Sequence, residues 1–81
     1  MPDNTKNRPV HEVRYGNVKV VIWRNETQNG HMFNVTAARL FKEGDKLREA
    51  TSFGHDDLLV LAKALNDAHS WIHAQKQAAA A

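Results

Sequence analysis

Residues 52–65 read Ser-Phe-Gly-His-Asp-Asp-Leu-Leu-Val-Leu-Ala-Lys-Ala-Leu, and the hydrophobic period changes at Gly54. Downstream, Leu58, Leu61, Ala62, Leu65, Ala68 and Ile72 recur at steps of three and four, which predicts an amphipathic helix over about His55–Gln75. Ser52 or Gly54 can cap it, and Asp56 and Asp57 fall in the first turn, where carboxylates complement the positive end of the helix dipole.

Upstream, the pattern is that of strands. Val18-Lys19-Val20-Val21-Ile22-Trp23-Arg24 is dense in β-branched and aromatic residues. It follows Gly16-Asn17, a two-residue hairpin signal that closes a shorter strand at Val10–Tyr15. Glu26–Gly30 reads as a turn with Asn29-Gly30 at its positive-φ corner, and Glu43-Gly44-Asp45 as another. A third strand is expected over about His31–Phe41 and a fourth over Lys46–Phe53. The expected architecture is α+β: a four-stranded antiparallel meander sheet followed by one long C-terminal helix packed on one face, β-β-β-β-α. Residues 1–9 read as a disordered leader, 10–76 as the single domain and 77–81 as a frayed tail.

One helix covers only one face of a sheet, so function is sought on the other. Alternation assigns Val18, Val20 and Ile22 to the helix side, with Phe33, Val35, Ala37 and Phe41 of the third strand and Arg39 among them. The open face then holds Lys19, Val21 and Trp23, then Asn34, Thr36 and Ala38, and from the fourth strand Lys46, Arg48, Ala50 and Ser52. Leu47 and Phe53 suit the core, whereas Glu49 and Thr51 share their parity, so a bulge or frayed edge is expected there. Such an open face is basic and nearly free of carboxylates. Lys19, Lys46 and Arg48 are the candidate phosphate contacts and Trp23 the candidate platform for a stacked base, a contribution of about 1–3 kcal/mol per base.

Composition narrows the alternatives. The chain has 81 residues, enough for one small domain, with 42% hydrophobic and 25% charged residues and a formal net charge of +2. Nine Lys/Arg against five Asp/Glu fall in residues 1–48, and two against four in residues 49–81. There is no cysteine, which excludes disulfides, thiolate metal sites and a cysteine nucleophile. No apolar run approaches the roughly 18 residues of a membrane span, and no signal peptide is evident, so a cytoplasmic protein is expected. His69 and His73 share a helix face without a third ligand by spacing, so no metal and no cofactor is expected. No phosphate loop or activated nucleophile is recognisable, and an enzyme is not expected. Leu59 and Trp71 lie off the main helical stripe and suggest a second contact, expected to be antiparallel pairing with the helix of a second copy; Trp71 folded back over the sheet edge is the equal alternative.

The order of strands and single helix over Val10–Gln75 resembles the single-stranded-DNA-binding domain of the positive-cofactor-four family of transcriptional coactivators and its bacterial relatives. That resemblance implies a curved sheet holding single strands, a homodimer formed through the helices, and binding positions at Lys19, Trp23, Lys46 and Arg48. Ile22-Trp23-Arg24-Asn25-Glu26-Thr27, Asn34-Val35-Thr36 and Asp56-Asp57-Leu58-Leu59 also look like segments of a group of short, uncharacterised bacterial proteins. The reading at this level is a sequence-tolerant single-stranded nucleic-acid binder, with a protein-interaction or assembly module as the alternative.

Overall fold

The computed structural model describes residues 7–28 and 30–80. Strands β1 (Asn7–Tyr15), β2 (Val18–Thr27), β3 (Gly30–Glu43) and β4 (Lys46–Ala50) form one antiparallel sheet in the order β1-β2-β3-β4. A 3-10 turn at His55–Asp57 leads into helix α1 (Leu58–Ala80). This is the expected β-β-β-β-α layout. β1 starts at Asn7, three residues inside the expected leader, and the first six residues of that leader lie outside the described residues. α1 continues through Ala80 across most of the expected tail.

The hairpins place Tyr15 opposite Val18, Thr27 opposite Gly30 and Glu43 opposite Lys46, and the first and third close on two-residue turns. Gly16 and Gly44 take positive φ values of 58° and 64°, which side chains bearing a Cβ adopt at a cost. β4 stops at Ala50 rather than Phe53. The chain then leaves the sheet towards the helix start, where Gly54 accepts the N–H of Asp57 at 2.9 Å and donates its own N–H to the Asp57 carboxylate at 3.2 Å.

The core lies between β2 and α1. Val18, Val20, Ile22 and Ala64 are fully buried and Ala68 nearly so. Two alanines one helical turn apart let α1 approach the sheet closely, and each buried Val or Ile contributes about 1.5–3 kcal/mol. α1 packs mainly over β1 and β2, only lightly on β3. Tyr15 of β1 donates its hydroxyl proton to Asp67 of α1, and Lys63 lies 3.8 Å from the same carboxylate. Trp71 stacks on His11 at 4.8 Å between ring centroids and meets Phe33 edge-on at 6.0 Å. It belongs to the apolar cover of the core, packed within its own chain as in the alternative that folds it back over the sheet.

Candidate binding face

Partners in an antiparallel ladder share a face, so register decides which side chains meet. Lys19 opposes Ala38, Val21 opposes Thr36 and Trp23 opposes Asn34, all on the face away from α1. Glu12 and Arg14 of β1 join them opposite Val21 and Lys19. β4 enters with the opposite parity to that expected. Arg48 opposes Phe41, Ala50 opposes Arg39 and Lys46 opposes Glu43, which places all three on the helix-bearing side. Glu49 and Leu47, opposite Leu40 and Lys42, occupy the open face instead.

This corrects the sequence reading of β4. Lys19 and Trp23 share a face; Lys46 and Arg48 lie on the other. Leu47, expected in the core, is 66% exposed. The cause is in the turn: the two residues Gly44-Asp45 fix Glu43 opposite Lys46, and each later residue of β4 follows from that pair. α1 packs mainly over β1 and β2, so burial against the helix selects their alternation and not that of the edge strand β4. Phe53 does pack against the core, because it lies beyond the strand on the crossing to α1.

The electrostatics change with the geometry. The ammonium of Lys19 lies 2.7 Å from the Glu49 carboxylate, and Arg14 lies 3.6 Å from Glu12. On the other side, Arg48 lies 2.5 Å from Glu43 and Arg39 lies 3.8 Å from Asp57. The open face therefore sets the carboxylates of Glu12 and Glu49 beside Arg14, Lys19 and Lys42, one cation in excess, and attracts a phosphate chain less than a carboxylate-free face would. Exposed pairs of this kind add only about 0–1 kcal/mol to stability. Their larger consequence is to neutralise Lys19 locally.

A shallow cavity of about 180 Å³ lies on this face, with Val21 and Ala38 among its lining, Trp23, Thr36 and Thr51 beside them, and the Lys19–Glu49 pair at its rim. The indole N–H of Trp23 donates to the Thr36 hydroxyl at 2.9 Å, which fixes the ring against the sheet. Ligand pockets for drug-sized molecules run to about 300–1,000 Å³, so this cavity suits a single side chain or a single base. Sequence reasoning missed Glu49, although the two-residue turn carried the signal that places it beside Lys19.

Leu59 is 84% exposed on α1. His69 and His73 stack at 6.3 Å, and among the described residues no group of three potential ligands converges on a metal position. Among them too, no helix is long and apolar enough to cross a membrane. The chain matches no family model, no curated protein and no solved structure.

Proposed function

We propose that this domain is a protein-interaction or assembly module, not an enzyme, whose working surface is the uncovered side of the sheet and its margin. The observation that carries this reading is the charge balance of that face. Lys19 is held by Glu49 at 2.7 Å, while Lys46 and Arg48 point to the other side. A protein surface suits a mixed, locally paired face with an apolar depression that can seat one anchoring side chain.

A single-stranded nucleic acid is the second reading, favoured by the Trp23 cavity. The indole is held by Thr36, and its neighbours Ala38 and Val21 leave room for one base. In this form stacking supplies the affinity and phosphate attraction little of it. Titration of labelled single-stranded oligonucleotides at two salt concentrations separates the two. The module reading expects no mobility shift and no quenching of Trp23 fluorescence at either salt. Saturable quenching that is lost in Trp23→Ala would establish the nucleic-acid reading and overturn the first.

A further inference from the structure

We infer that the free margin of β3 is a self-association edge, at which a second copy of this chain adds its own β3 to make a continuous eight-stranded sheet. The inference rests on the interaction-module reading and names the partner.

β3 runs over Gly30–Glu43, but β4 covers only Arg39–Glu43 of it. Leu40 donates its N–H to Asn17 at 2.7 Å, back across the β2 side of the sheet. In an antiparallel strand alternate residues turn both backbone groups the same way. The even-numbered residues of β3 therefore bond β2, and the odd-numbered ones face outward. Arg39, Phe41 and Glu43 meet β4. Phe33, Val35 and Ala37 present their N–H and C=O groups where, among the described residues, no strand lies.

The other margins are guarded and this one is not. β1 carries Pro9, a register shift between Pro9 and His11, and the charged Glu12 and Arg14. β4 is five residues long and includes Lys46, Arg48 and Glu49. Prolines, bulges, short length and charges are the devices that keep sheet edges from pairing. Residues 32–38 of β3 read Met-Phe-Asn-Val-Thr-Ala-Ala, with neither a charge nor a proline.

Such a segment is complementary to itself. With a two-fold axis perpendicular to the sheet between Phe33 and Val35, Phe33 of one copy opposes Val35 of the other, and no like charges meet. The axis also places both α1 helices on the same face. At about 100° per residue, Asp67 marks the flank of α1 over β1, and Leu58, Leu61 and Leu65 mark the flank towards β3. Val35, Leu58 and Leu65 are 38%, 49% and 40% exposed, so apolar surface flanks the open backbone groups. A charged peptide would find no counter-charge here, whereas a second β3 finds matching hydrogen-bond groups and matching apolar neighbours.

The test is the mass of the intact chain by light scattering at about 100 μM, well above a micromolar Kd, together with amide hydrogen exchange. The expected mass is twice the 9.2 kDa of the chain. Protection at Phe33, Val35 and Ala37 should rise with protein concentration. Val35→Lys should return the single-chain mass with unchanged circular dichroism, while Leu47→Lys and Leu59→Asp leave the doubled mass intact. A single-chain mass for the unsubstituted protein, fast exchange at those three amides in a dimer, or a dimer insensitive to Val35→Lys overturns the inference. If Val35→Lys does not fold, exchange in the unsubstituted chain decides. The two readings fail separately, because mass and exchange report on the edge and oligonucleotide titration reports on the open face.

Discussion

Trp71→Ala tests whether the indole holds the domain together or waits for a partner. Trp71 lies between His11 of β1 and Phe33 of β3 and is half-buried against the core. Full truncation of a buried Trp costs about 3–5 kcal/mol, and partial exposure reduces this to about 2–3 kcal/mol. A domain of this length has about 4–12 kcal/mol of stability in total, so the loss is a large share of it. At roughly 4–8 °C per kcal/mol for a chain of this size, Tm should fall by about 10–20 °C. His11→Ala removes only the stacked pair and should cost about 0.5–1.5 kcal/mol. Urea unfolding followed by circular dichroism measures both, with Trp23 left as the fluorescent probe. A Trp71→Ala change below about 0.5 kcal/mol would refute the packing argument. So would a loss that disappears on dilution, because an intermolecular contact depends on concentration and an intramolecular one does not.

The Tyr15 hydroxyl is bonded to the Asp67 carboxylate, and that bond, with partial burial and the nearby negative charge, raises its pKa above the ordinary 10.0. The folded state then holds this proton more tightly than the unfolded state does. The stability it contributes is complete below pH 10 and is lost as pH rises through the folded value; Tyr15→Phe should flatten that part of the stability profile in alkaline unfolding experiments. Gly44→Ala forces a Cβ into φ 64° and should cost about 1–2 kcal/mol in urea melts, whereas Gly44→Asn should cost less because Asn tolerates that region. Ala64→Leu, at a fully buried position facing β2, should lower stability by about 1–3 kcal/mol, while Leu59→Gln at 84% exposure should stay within about 0.5 kcal/mol on the same assay.

Most of the fold is legible in the chain because its signals are local. Glycines at the three hairpin corners, alternation along residues 18–24 and the three-and-four spacing after Gly54 each depend on neighbours within a few residues. The candidate site was legible by halves. Lys19 and Trp23 fall where alternation puts them, because Val18, Val20 and Ile22 anchor β2 on the helix. The β4 residues differ from expectation because Leu47 looks like a core residue in an edge strand that lies away from the main contact of α1.

The chain by itself settles where the strands turn, which face of β2 is buried and where the helix begins, since each follows from backbone preference or from one amphipathic stripe. Tertiary packing alone decides that α1 lies over β1 and β2. Small side chains at Ala64 and Ala68 fit it there, and the Tyr15–Asp67 bond and the Trp71 stack hold it towards β1. Register alone decides that Glu49 rather than Arg48 stands beside Lys19, because pairing propagates from a turn and not from hydrophobicity. Together these leave the outer margin of β3 at Phe33, Val35 and Ala37 without a strand beside it among the described residues, a property of three elements placed side by side that no single stretch of sequence contains.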